Sequence, residues 1–375
     1  MFSNAGLTVG RALSLGFALL LGGCGEKPPV LIGYLGGVSG RVADLGIAGR
    51  NGAQLAVEAV NAQGGIDGRK VELLIRDDEQ NADLARRRFV ELADAKVAAV
   101  VGPMTSSMCA AVLPLADERK VLLMSPTCTA NELGGKEDQF MRVISPTRVY
   151  ATKSAHHQFD VQGLRKAGLI YDLRNKAYTE SWTADFADAF SGKGGRVLAR
   201  KGFESGDDAG LAALVESVLQ ARPDLVVIAA NSVDAALLTQ LVRRRAPTVG
   251  IVAAEWASTE RYIELAGKAA DGVFMAQFYD RFSGAPGFQS FRTRYRDRFG
   301  EEPGFGGVAA YDAATVVFHA IRQQGGKSLR EAVLSIRRFD GVQGRIEFDA
   351  NGNADREVFL TRVQDGRFVL VSGRP

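Results

Sequence analysis

The stretch Val30–Gly40, VLIGYLGGVSG, poses the question on which the fold turns. A short apolar run ends among glycines at 33, 36, 37 and 40, and an Ala-rich segment follows. A strand that opens through glycines into a helix is how a phosphate cradle begins, so the spacing decides. A dinucleotide loop needs glycines two and then three residues apart, and a Walker loop needs Gly, four residues, then Gly-Lys-Ser/Thr. No two of these glycines are two apart, and no Lys follows in register. The phosphate reading fails. What remains is a strand end whose glycines would let backbone approach some other ligand.

Outward from this point the chain alternates. Leu31–Leu35 reads as a strand, Ile47–Ala62 as a helix stopped by Gly64-Gly65, and Val71–Arg76 as a strand. Asn81 caps a helix running to Ala95, VAAVVG (97–102) is a strand, a helix starts near Ser106, and VLLMS (121–125) is a strand. After about residue 147 the alternation restarts, with strands at 167–171, 196–200, 225–230, 250–254 and 272–276. Helical segments near 179–192, 208–221, 232–245 and 258–268 separate them. Continuous apolar runs of this kind are strands buried on both faces, and strand–helix alternation gives parallel sheets with right-handed crossovers. Two series predict an α/β protein of two doubly wound parallel-sheet lobes. Helices near 286–299, 306–324 and 328–337 come next. The segment 344–371 then alternates apolar and polar residues around the hairpin signals Asn351-Gly352 and Asp365-Gly366.

The chain of 375 residues carries 46 basic and 43 acidic side chains, a net charge of +3, spread without long like-charge runs. That gives no footprint for nucleic acid. Arg triplets at 86–88 and 243–245 lie in helix-like segments and read as solvated faces. At the N-terminus Arg11 precedes the apolar run ALSLGFALLLGG, which ends at Cys24 and is short for a membrane span. Leu21-Gly22-Gly23-Cys24 resembles a bacterial lipobox, so residues 1–23 read as a signal peptide, Cys24 as the lipidated residue and 24–29 as a tether. The expected location is outside the cytoplasm, periplasmic or cell-surface, anchored to a membrane by lipid. After cleavage Cys109 and Cys128 remain. An oxidising compartment permits a disulfide, and the sequence leaves a bonded pair and two buried thiols equally open.

No GxSxG elbow or HExxH motif is present, and His156, His157 and His319 all lie in helix-like stretches. Asp77-Asp78-Glu79 reads as a strand-end turn rather than a cation site. No cofactor or metal is implied. In open α/β sheets, ligands sit beyond the carboxyl ends of the strands. There the sequence places Ser106 and Ser107 at a helix start, whose free N–H groups favour an anion. Thr127 and Thr129 follow the next strand, and Glu255-Trp256 follows the strand at 250–254. Each also fits an ordinary cap or turn. Together they describe a pocket with an anion end and a cation end, which suits a zwitterion.

NGAQLAVEAVNAQGGIDGRKVELLIRDDE (51–79), VVGPMTSSM (100–108), LLMSPTCTANEL (122–133), FMRV (140–143) and FGEEPGFGGVAAYDA (299–313) together resemble the periplasmic amino-acid-binding proteins of the branched-chain type. That family supplies ligand to ABC importers. The likeness covers about residues 30–370. It implies the type I periplasmic binding protein fold, in which three hinge crossovers join the lobes: 30–147 with 277–337 as lobe 1, and 148–276 with 338–375 as lobe 2. It further implies that Ser106 and Ser107 hold a ligand α-carboxylate, and that Cys128 (through its carbonyl) and Thr129 meet the α-ammonium. Glu255 would neutralise that ammonium from the opposite lobe, and Tyr178 would close over the ligand. Asn231 stands where some relatives carry a second-lobe aromatic, and Trp256 where many have glycine. These departures surround the ligand side chain. The expectation is a monomeric, non-enzymatic receptor that binds a hydrophobic or neutral amino acid, or a related amide or carboxylate, for permease subunits. The alternative is a sensor of the same fold that reports to a regulator.

Overall fold

The structure, a computed structural model, describes residues 27–371. Cys24, the signal segment and the start of the tether lie outside the described residues. The last tether residues are tied down, since the Arg69 guanidinium donates to the carbonyls of Pro28 and Pro29.

The first series is β1 (Val30–Gly36), α1 (Ala43–Ala62), β2 (Val71–Asp77), α2 (Ala82–Asp94), β3 (Ala99–Val101), α3 (Ser106–Arg119), β4 (Leu122–Ser125) and β5 (Phe140–Arg142). Its sheet has the order β2-β1-β3-β4-β5, all parallel. The second series is α4 (Thr147–His156), β6 (Lys166–Asp172), α5 (Lys176–Gly192), β7 (Arg196–Phe203), α6 (Leu211–Leu219), β8 (Leu225–Ala229), α7 (Ser232–Arg245), β9 (Gly250–Ala253), α8 (Glu260–Ala266) and β10 (Phe274–Gln277). It repeats the same order as β7-β6-β8-β9-β10. The chain then returns to the first lobe with α9 (Pro286–Phe299), α10 (Gly304–Arg322) and α11 (Leu329–Ile336). It ends with β11 (Arg338–Gly341), β12 (Gly344–Phe348), β13 (Ala354–Asp355), β14 (Phe359–Gln364) and β15 (Arg367–Leu370). Each lobe is thus an α/β layer structure, with a topological switch point between its first and third strands.

α10 is long and apolar enough to cross a membrane, but most of it is buried in the fold, so it is a core helix. It packs along α1 through glycines. A Cβ on Gly52 would stand 2.1 Å from the Gly307 carbonyl oxygen. One apolar core runs through both lobes, joining Tyr34 and Met124 of the first to Trp182, Val227 and Trp256 of the second. Separate cores fill the outer faces, around Phe89 and Val112 in the first lobe and Leu238 and Tyr262 in the second.

The C-terminal segment divides, which corrects the lobe boundary expected at 337/338. β14 and β15 join the second sheet as antiparallel strands beside β10. β11, β12 and β13 form a small sheet of their own on the first lobe. Phe339 packs on His319 of α10, Asn353 accepts from Arg142 of β5, and Val342 N–H donates to Asp312 of α10. The third crossover therefore falls after Asp355. The alternating pattern revealed strands, but the lobe that covers them is set by partners far away in sequence.

Candidate functional site

The lobes meet over a crevice at the carboxyl ends of both sheets. The first lobe presents Leu45, Met104, Thr105, Ser106, Thr127, Thr129 and Phe305, and the second presents Asn175, Tyr178, Glu255, Trp256 and Ser258. Ile144, Tyr150, Gln277 and Phe278 come from the crossovers and their flanks. Together they surround about 420 Å³ of space between atoms, part of it open to solvent. Glu255 is the one charged side chain in this lining.

Glu255 follows β9, where the chain leaves the sheet at Ala254 in extended conformation and turns into a short 3₁₀ segment. The carboxylate is buried. Its Oε2 accepts from the Trp182 indole N–H at 2.7 Å, and its Oε1 has no protein partner. Burial pushes the carboxyl up to about 7, opposed by its own backbone N–H and by Trp182. The hydroxyls of Tyr178 and Thr129 lie near enough to lower it further, yet the Thr129 hydroxyl remains unpaired, as does that of Tyr150. Three buried polar atoms thus converge on the crevice without partners. Buried polar groups are normally hydrogen-bonded, so such a convergence marks where a ligand would supply partners. Tyr178 meets Trp256 edge to face at 5.8 Å, and Phe278, Phe305, Leu45, Met104 and Ile144 give the rest of the lining its apolar character.

Of the residues singled out from sequence, Ser106, Thr127, Thr129, Tyr178, Glu255 and Trp256 line the crevice together. Ser106 Oγ accepts from Ala130 N–H at 3.2 Å, which leaves its own proton free to donate. Three others stand elsewhere. Ser107 is taken up in lobe-to-lobe contact: its N–H donates to Asn175 Oδ1 and its hydroxyl accepts from Ala177 N–H. Cys128 is fully buried behind the lining, bonded to Cys109 as a disulfide, and its carbonyl accepts from Arg142. Asn231 caps α7 through Val233 and Asp234 N–H and donates to Asp234 and Ser205, so it is a structural cap. The opening glycines also serve packing. Cβ atoms at Gly36 and Gly37 would strike Met104 and Val42, and neither glycine faces the crevice. Asp77 and Asp78 accept from Glu79 and Gln80 N–H at the end of β2, as a strand-end turn does, and Asp77 also accepts from Val38 N–H after β1.

Sequence reasoning missed Tyr150, Trp182 and Phe278. Trp182 lies four residues after Tyr178 on α5, a spacing that puts both on one face. Phe278 directly follows β10, so the strand-end rule could have found it. Tyr150 follows a crossover without a preceding long strand, and nothing local marks it.

Polar contacts close the crevice on two sides. Arg41 reaches across to Asp234 at 2.6 Å and Asp208 at 2.8 Å, and Asp44 Oδ2 accepts from Ser232 at 2.6 Å and Thr259 at 2.7 Å. On the other side Asn131 donates to both Asp185 oxygens, beside the Ser107–Asn175 contact.

Comparison with known proteins agrees with this architecture. A leucine-binding protein, LivK, from Thermotoga maritima superposes with a TM-score of 0.85 at 25% identity, covering 92% of this chain and 98% of its own. LivJ from Streptococcus pneumoniae, a branched-chain amino acid transporter substrate-binding protein in complex with isoleucine, gives 0.84 at 24% identity over 92% and 99%. Leu/Ile/Val-binding protein homolog 3 of Brucella melitensis is 26% identical over 275 residues, 73% of this chain and 72% of its own. The family model described as periplasmic binding protein matches residues 29–367. Because that match runs through both lobes and all the segments that join them, the chain as a whole belongs to the periplasmic binding protein family, alongside its branched-chain amino-acid receptors.

Proposed function

We propose that the crevice captures an amino acid with an apolar side chain and that the protein hands it to the permease of an ABC importer. The observation that carries this reading is Glu255: a buried carboxylate, the one charge in the lining, with an oxygen that no protein group satisfies. A ligand that places an ammonium there gains a charge-assisted hydrogen bond inside a low-dielectric site. The free Ser106 proton suits the carboxylate, and the unpaired Thr129 hydroxyl beside Glu255 offers a further acceptor to the ammonium, which completes a zwitterion's needs. The apolar remainder suits an aliphatic side chain. Capture would proceed by closure of the lobes, the second bringing Glu255, Tyr178 and Trp256 onto a ligand seated on the first. Cys24 would carry the lipid that keeps the receptor beside its permease.

Titration calorimetry with leucine, isoleucine and valine, against 4-methylpentanoate as the ammonium-free analogue, tests the reading. Binding of the amino acids and failure of the analogue are expected; equal binding of the analogue would reject it. Removing one partner of a buried charge pair costs roughly 3–5 kcal/mol. At about 1.4 kcal/mol per decade, Glu255→Gln should weaken amino-acid binding by roughly two to three orders of magnitude. A loss under about tenfold would remove Glu255 as the counter-charge.

A further inference from the structure

We propose that the Cys109–Cys128 disulfide is a positioning pair that holds the ligand-facing hydroxyls of the first lobe in register. All four hydroxyls that this lobe gives the crevice come from two short segments: Thr105 and Ser106 at the start of α3, and Thr127 and Thr129 after β4. The segments follow neighbouring strands, but neither is itself part of the sheet, so the ladder does not fix them against each other. The disulfide does. Cys109 lies one turn into α3 below Ser106, and Cys128 sits between the two threonines. Both cysteines are fully buried, and their Cα atoms are 6.7 Å apart.

A buried hydrogen bond from Ser125 Oγ to the Pro103 carbonyl, 3.2 Å, joins the bases of the two segments, and two more cross the seam nearer the crevice. Ala130 N–H donates to Ser106 Oγ at 3.2 Å, and Thr127 Oγ1 donates to the Met104 carbonyl at 2.5 Å. Both use a hydroxyl that also lines the crevice, so a ligand approaching Ser106 or Thr127 perturbs the tie it depends on. The disulfide crosses the seam without using any ligand-facing group. It leaves Ser106 free to turn its proton towards a carboxylate, and the unpaired Thr129 hydroxyl is held in place by its bonded neighbour. Groups fixed before binding lose less freedom when the ligand arrives, and this appears as affinity.

The test uses the full chain with the Cys109→Ala/Cys128→Ala double substitution and two measurements at 25 °C. One is L-leucine affinity, which rests on the amino-acid reading above. The other is hydrogen exchange of the Ala130 amide in ligand-free protein, which does not. The expected result is about a tenfold or greater loss of leucine affinity, with faster exchange at Ala130 and unchanged exchange in β1 and β6. Retained affinity with unchanged exchange at Ala130, or a uniform rise in exchange across both lobes, would overturn the proposal and reduce the bond to general stabilisation. Should the double variant fail to fold, the unsubstituted chain refolded in dithiothreitol carries free thiols at both positions and gives the same two readings. Should leucine bind neither form, the failure belongs to the amino-acid reading, and exchange at Ala130 alone decides the role of the disulfide.

Discussion

Asp78, Asp172 and Glu255 share one predicament. Each is buried, each keeps one carboxyl oxygen without a partner, and burial pushes each up to about 7. In the unfolded chain such groups titrate near 4. Between about pH 4 and 7 the folded state therefore holds protons that the unfolded state has released. Stability then falls as pH rises through that window and levels off above about 7. The ligand-free protein should melt lower at pH 8 than at pH 5 in scanning calorimetry, and Asp78→Asn should make that slope shallower. A steeper slope in the variant would contradict the assignment. Ligand binding runs the other way, because an ammonium needs Glu255 ionised: affinity should rise as pH climbs towards about 7 and then flatten, as read by titration at fixed ionic strength. The strand ends made Ser106, Thr127, Thr129 and Glu255 visible in the sequence, and the family resemblance added Tyr178. Asn231 misled because a helix cap and a ligand contact use the same residue types, and Ser107 because its polar groups are taken by the opposite lobe; only the partners tell such roles apart.

At the scale of elements the sequence carried most of the layout. α7 and α9 occupy 232–245 and 286–299, as their periodicity indicates, and the Asn81 cap accepts from Leu84 N–H as expected. Asp365 and Gly366 both adopt positive φ between β14 and β15, which is what an Asp-Gly hairpin turn demands. β5 escapes notice in the sequence, and of α4 only the stretch around His156 reads as helical. β5 has three residues, and its existence depends on β4 on one side and on Gly352 and Asn353 on the other, contacts without a local signature. The lobe that receives β11–β13 is likewise decided by distant pairs, including the buried Arg356–Asp312 ion pair at 2.7 Å. The α1–α10 crossing gives the prediction at this scale. Alanine is the better helix former by about 1 kcal/mol, yet a Cβ on Gly52 would lie 2.1 Å from the Gly307 carbonyl. Backbone cannot yield as a side chain end can, so overpacking of about 1–3 kcal/mol or more should prevail. Gly52→Ala should lower the melting temperature, whereas Gly64→Ala, in open space but at a φ of 91°, tests backbone strain alone. An unchanged or higher melting point for Gly52→Ala would mean the helices move apart without penalty.

For the whole molecule, the two lobes share one strand order and present their switch points to each other, so the crevice exists only when they meet. Arg41 binds the first lobe to Asp234 and Asp208 of the second without entering the lining. The half-exposed Asp208 contact contributes little, while Asp234 is fully buried and loses its cationic partner if Arg41 is truncated. Apparent affinity scales with the fraction of molecules able to close. Arg41→Ala should therefore weaken amino-acid binding by about tenfold in titration calorimetry with the crevice intact, and small-angle scattering at saturation should show the same radius as the unsubstituted protein. Unchanged affinity would mean the clasp plays no part in closure.

The unpaired atoms of Thr129, Tyr150 and Glu255 have one more consequence. Each deprived group costs about 1–3 kcal/mol when shut away from water, so an empty receptor that folds its halves together stands about 3 kcal/mol or more above one that stays ajar. Fewer than about one molecule in a hundred would then wear the loaded shape without cargo. Any partner that reads shape alone is thereby shielded from false signals.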